Sequence, residues 1–212
     1  MRSLAALACI ALLAACGSSK PSHGLVTAPS ITVAGTTYAP GDGGGLTVTN
    51  KTCGVGALSL QVSALVAGFS SYDGVCDYVK ANTVCASKPN SWRGSIAIIK
   101  GGSSVAPGAI GTGVYTITTG PPTPDAFGNL TVVNVAFDQR NATCQNLTSS
   151  YTTTGTVTVD QVTPTVKGSV DATILDGATV VGTISGPFEV DACSATVDIC
   201  GQLFGSCTNT CI

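Results

Sequence analysis

The chain has 212 residues and a net charge of −2, with only 9% charged residues against about a quarter in an ordinary soluble protein. No basic stripe is present to hold a phosphate backbone and no acidic tail to attract a basic partner, so nucleic acid is excluded as a partner. A hydrophobic content of 44%, much of it Val, Ile and Leu, excludes a disordered chain.

At the N-terminus, Arg2 precedes an unbroken apolar run from Leu4 to Ala15. A membrane-spanning helix needs about 20 apolar residues, so this run has the length of a signal peptide's hydrophobic region instead. It ends in Leu13-Ala14-Ala15-Cys16, which resembles the lipobox of bacterial lipoproteins. That resemblance is confined to the signal region. It implies a diacylglycerol on the Cys16 thiol, cleavage just before Cys16 and acylation of the new amine. Two or more acyl chains make a stable membrane anchor, so the membrane is itself an expected partner. Because Gly17 rather than Asp follows the cysteine, the resemblance implies the outer membrane, with either leaflet open.

Residues 1–15 are thus read as a lipoprotein signal peptide. Residues 16–29 are read as the acylated cysteine with a flexible tether, and 30–212 as one all-β domain ending in a cysteine-rich tail (193–212). Cysteine counting agrees with the lipid. The chain has ten cysteines, and Cys9 leaves with the signal peptide. An ordinary thiol at Cys16 leaves an odd number in an oxidising compartment. A lipid there leaves Cys53, Cys76, Cys85, Cys144, Cys193, Cys200, Cys207 and Cys211 to form disulfides. Cys76–Cys85 is the expected local bridge because the two are close in sequence. Cys53–Cys144 is the expected long-range staple, with the C-terminal four pairing partly among themselves.

Short β-type runs punctuated by Gly, Pro, Asn and Asp follow in chain order. Strands are expected near 30–38, 46–50, 57–67, 93–100, 113–119, 130–139, 154–162, 165–174 and 178–185. One short helix fits Val75 to Val84. Alternation at Leu58, Leu60 and Val62, and at Val133, Val135 and Phe137, marks sheets with one buried face. The fold expected is an antiparallel β-sandwich of about 8–10 short strands with disulfides; the alternative is an up-and-down barrel. Gly120-Pro121-Pro122-Thr123-Pro124-Asp125 reads as a long surface loop. In the last hairpin, a three-residue loop (Leu175-Asp176-Gly177) places Ile174 opposite Ala178 and Ala172 opposite Val180, with Gly177 at positive φ.

The only histidine is His23, in the tether, so the Ser-His-Asp and Cys-His catalytic sets are absent, and no metal or cofactor is expected. Asp160 and Asp171, on neighbouring strands, are the one carboxylate pair to consider for glycoside hydrolysis. Asp73 and Asp77 around Gly74 make a faint Ca²⁺ motif without the EF-hand spacing. Sequons at Asn50, Asn129, Asn141 and Asn146 read as turn and strand residues in a bacterial protein. Phe69, Tyr72, Tyr78 and Trp92 cluster within one loop-rich stretch. Tyr72, Tyr78 and Trp92 therefore form the candidate ligand patch, and a packing role for the same rings is the competing reading. The function expected is a non-catalytic binding or surface-interaction module with an unknown protein or carbohydrate ligand. The alternative is a structural envelope lipoprotein with protein partners, and a carbohydrate hydrolase is a distant third. Beyond the lipobox the chain resembles uncharacterised β-rich bacterial lipoproteins, a resemblance that carries no activity.

Overall fold

The computed structural model describes residues 24–55, 58–80, 86–102, 106–193, 200 and 210–211. These form a disulfide-bonded antiparallel β-sandwich, and neither main sheet closes into a barrel. The strands are β1 (Leu25–Thr27), β2 (Ser30–Val33), β3 (Thr36–Tyr38), β4 (Asp42–Val55), β5 (Leu58–Ser70), β6 (Ala86–Ser87), β7 (Trp92–Gly102), β8 (Gly113–Thr116), β9 (Leu130–Gln139), β10 (Tyr151–Gln161), β11 (Thr165–Asp176), β12 (Thr179–Asp191) and β13 (Thr210–Cys211). One helical turn and a half, α1 (Val75–Lys80), follows β5. The larger sheet runs β3-β2-β12-β11-β10-β8, with β1 also on β12; the smaller runs β4-β5-β7-β9. β6 and β13 make a separate two-stranded parallel pair.

Period-two patterning builds both layers. On β11, Val166, Val170, Ala172 and Ile174 all turn inward, as do Trp92, Ile96 and Ile98 on β7 and Val133, Val135 and Phe137 on β9. These side chains meet between the sheets in one apolar core with Phe69 and Phe188, whose rings sit edge to face at 6.4 Å. β9 runs across the larger sheet and touches three of its strands in turn. Phe137 packs on Tyr38 of β3, the Val135 carbonyl accepts the Thr153 hydroxyl of β10, and the Val133 carbonyl accepts the Thr118 N–H just beyond β8.

Gly43-Gly44-Gly45 on β4 shows why small residues were needed there. A Cβ on Gly45 would lie 2.7 Å from a Val166 methyl, so its absence lets the sheets close. On the opposite face, a Cβ on Gly44 would lie 2.7 Å from the sulfur of Cys76 and 2.8 Å from that of Cys193. Beside them the buried Asp42 carboxylate accepts four backbone N–H bonds, from Gly24 and Gly43 on one oxygen and Gly74 and Val75 on the other. One side chain thereby joins the first strand, the start of β4 and the loop entering α1.

The bridges differ from the sequence expectation. Cys76 pairs with Cys193, not Cys85; Cys53 pairs with Cys200, not Cys144; and Cys144 pairs with Cys211. Sequence proximity was the wrong guide because the fold brings distant segments together. α1 lies over Gly44, while the chain leaving β12 runs parallel to β4, with the Cys193 N–H bonded to the Gly45 carbonyl at 2.7 Å. All three described bridges tie C-terminal cysteines to the body, and none joins two of the C-terminal four. Cys85 and Cys207 lie outside the described residues. Under the Cys53–Cys200 bridge, the outer face of the smaller sheet carries a second apolar cluster of Leu46, Cys53, Val62 and Ala64, with Cys200 packed against it.

Two further expectations change. Leu25–Thr27, read as tether, is a strand paired with Val190 and Glu189 of β12. The last hairpin has a two-residue loop, Gly177-Ala178, with Asp176 opposite Thr179 and Ala172 opposite Ile184 rather than Val180. Gly177 does have positive φ, +60°, as a turn with glycine first requires. Continued without interruption, this register would turn the wrong face of β12 inward. A bulge resolves this: Ile174 pairs with Gly182 and Leu175 with Val180, so Val181 is extra and the alternation resets. Val180 is then 64% exposed while Ile184 is buried.

Candidate functional site

The aromatic patch expected from sequence is not assembled as a surface. Trp92, at the start of β7, points into the core and is 8% exposed. Its ring stacks on Phe137 at 6.0 Å and meets Tyr38 edge-on at 5.7 Å. Phe69 is buried as well. Tyr72 is half-buried with the Lys88 ammonium 4.9 Å from its ring centre, and the Tyr78 side chain lies outside the description. The packing reading therefore holds for Trp92 and Phe69. What remains is a recess of about 220 Å³ on the outer face of the smaller sheet, between Tyr72, Val75, Val66 and the Arg93–Asp138 ion pair (3.9 Å).

The carboxylate pair is not assembled either. Asp171 sits opposite Thr156, and Asp160 falls in a register shift beside Lys167 and Gly168. Three to four rungs put them about 10–13 Å apart along the strand, beyond the spacing of about 5–9.5 Å that glycosidases use. Asp73 and Asp77 flank Gly74, whose carbonyl already accepts the Asp77 N–H. Among the described residues no group of three or more His, Cys, Asp or Glu is placed to hold a metal ion. Each sequon asparagine has a structural task. Asn50 sits at positive φ in the β4 bulge, bonded to Ser63 and Gly108. Asn141 and Asn146 cap turns through the amides of Thr143 and Thr148. Asn129 closes the 125–129 loop on Asp125, whose carboxyl the Asn129 N–H holds below the ordinary carboxylate value. Cys16 and His23 lie outside the described residues.

A larger concavity, of about 540 Å³, opens where β9 crosses the beginning of β10. Six threonines, one serine, two asparagines and Tyr151 line it, with Ile174 and Leu175 of β11 and a single charged residue, Asp138. Its geometry follows from β9 being the free edge of its sheet. The N–H and C=O of Val133, Val135, Phe137 and Gln139 point away from β7, and an unpaired edge of this kind invites another strand. Threonines occupy it instead. Thr118 bonds both groups of Val133, by its own N–H and hydroxyl. Thr153 donates its hydroxyl to the Val135 carbonyl at 2.6 Å. The Thr148 hydroxyl donates to the Phe137 carbonyl (3.0 Å) and accepts the Gln139 N–H (3.1 Å).

Thr153 is legible in the sequence with hindsight, because it shares the inward face of β10 with Val157 and Val159 yet is polar. The partner carbonyl was not legible, because nothing in the sequence shows that β9 and β10, in different sheets, touch. Compared with protein-family models, curated proteins and solved structures, the chain finds no match.

Proposed function

We propose that the chain is a non-catalytic binding module of a bacterial envelope, held to a membrane through acylated Cys16 and presenting the threonine-lined cleft to its ligand. The observation that carries this reading is where the cleft lies relative to the tether. β1, the first described strand, pairs through Leu25 with Val190, which in turn faces Val166 at the start of β11. The cleft is lined by Ile174 and Leu175 at the other end of β11, about 30 Å away at the rise of an extended strand. Only seven residues lie between Cys16 and Gly24, a span of at most about 28 Å. An anchor at Cys16 holds the β1 end near the lipid and turns the cleft outward. A volume of about 540 Å³ falls within the range of small-ligand sites. The disulfides suit an oxidising compartment, and the dispersed carboxylates give no support to hydrolysis.

The test is capture from native envelope extract by the acylated protein, compared with Ser149→Trp, which fills the cleft from an exposed position, and Asp160→Asn on the outer face as a control. Capture by wild type and the control but not by Ser149→Trp is expected. Equal capture by all three, or none by any, contradicts the reading.

A further inference from the structure

The chemistry left unused in the cleft narrows the ligand. Among the described residues, the N–H groups of Val135 and Phe137 point into this edge without an acceptor, while the carbonyls of the same residues are taken by Thr153 and Thr148. On β10, which bounds the other side, the Tyr151 N–H is bonded to the Thr148 carbonyl and the Gly155 carbonyl to the Ile117 N–H. Only Thr153 keeps both its backbone groups on that side. The β9 edge, with its carbonyls taken, cannot add a peptide strand of either sense, and β10, where only Thr153 keeps both groups, cannot add an antiparallel one, which needs N–H and C=O free on alternate residues in succession. An anion finds no cation in the lining, because Asp138 is the only charged residue there and is met by Arg93 and by the Asn146 amide at 3.1 Å. A wholly apolar ligand would bury the hydroxyls and free amides without partners, at about 1–3 kcal/mol for each group.

We propose that the cleft binds a short neutral oligosaccharide. Sugar hydroxyls both accept, as the Val135 and Phe137 amides require, and donate, as threonine oxygens and the outer lone pairs of Asp138 require. The half-buried Tyr151 ring, which lines the cleft, offers an apolar surface for the C–H face of a pyranose. The assignment rests on the cleft being the binding site of the module proposed above.

The experiment screens the full acylated protein, in a detergent without a sugar headgroup, on an array of neutral tri- to hexasaccharides with sialylated and uronic-acid oligosaccharides alongside. Isothermal titration of the best neutral trisaccharide follows, on wild type, Ser149→Trp and Tyr151→Ala. A sub-millimolar Kd is expected in wild type, rising at least tenfold in Ser149→Trp with no change in melting temperature. Tyr151→Ala, which also loses core contacts, is read only if its melting temperature shows it folded, and then weakens binding in the same direction. Tighter binding of the acidic sugars overturns neutrality, and a Kd unmoved by Ser149→Trp removes the sugar from the cleft. No neutral saccharide bound, with envelope capture still abolished by Ser149→Trp, overturns the sugar assignment and leaves the binding module standing. Loss of both results overturns both readings.

Discussion

At the scale of single residues, polar side chains complete backbone bonding where the sheets stop. Asp42 satisfies four N–H groups that no strand reaches, and Thr118, Thr148 and Thr153 stand in for the strand missing beside β9. Their value lies in what their loss would expose. Removing one partner from a buried bond leaves the other unsatisfied at about 1–3 kcal/mol. Thr153→Val keeps the shape and deletes only the hydroxyl donated to the Val135 carbonyl. Its unfolding free energy by urea titration should fall by about 1–3 kcal/mol, with the aggregation rate rising as the β9 edge is uncovered. An unchanged midpoint would mean that solvent satisfies this carbonyl and that the hydroxyl is incidental.

At the scale of elements, alternation carries most of what could be read. β9 spans Leu130–Gln139 as expected, and β10 and β11 begin or end within three residues of their predicted limits. Inward faces on β9 and β11 were legible because each buried position recurs every second residue over a long strand. Errors gather where that rule is interrupted. The bulge at Val181 turned Val180 outward although its residue type suits a core. Leu25–Thr27 is too short for its alternation to be told from a tether. The site was less legible than the fold. Aromatic residues close in sequence suggested a surface, but Trp92 begins a strand whose inward face includes Ile96 and Ile98, so it belongs to the core. Gly177 is where turn chemistry was legible despite the wrong loop length. At φ +60°, with open space around its Cβ position, the cost of a side chain there is conformational rather than steric. Gly177→Val should lower stability by roughly 1 kcal/mol or more, measured as a drop in melting temperature. Unchanged melting would show that the turn relaxes into another form.

At the scale of the whole molecule, the sandwich is closed by covalent bonds that run from its body to its C-terminal segment. Cys53–Cys200, Cys76–Cys193 and Cys144–Cys211 span 147, 117 and 67 residues. In the chain-entropy account, loops of this length each restrain the unfolded state by about 4–5 kcal/mol, and the three overlap, so their contributions do not add. Cys85 and Cys207 lie outside the described residues, and the sequence expectation that all eight domain cysteines are oxidised extends to them. Alkylation of the native protein without reduction should then label no thiol in the domain; two labelled cysteines would contradict full pairing. The same bridges tie Cys200, Cys193 and Cys211 to β4, α1 and the loop after β9, while β1 holds the beginning of the domain on the larger sheet, at the end remote from the cleft. The whole arrangement has a functional orientation only if the chain is anchored at Cys16. Mass spectrometry of the mature N-terminal peptide tests that most directly. The account predicts an N-terminus at Cys16 carrying diacylglycerol on its sulfur and an acyl chain on its amine, whereas an unmodified N-terminus at any other residue would contradict it.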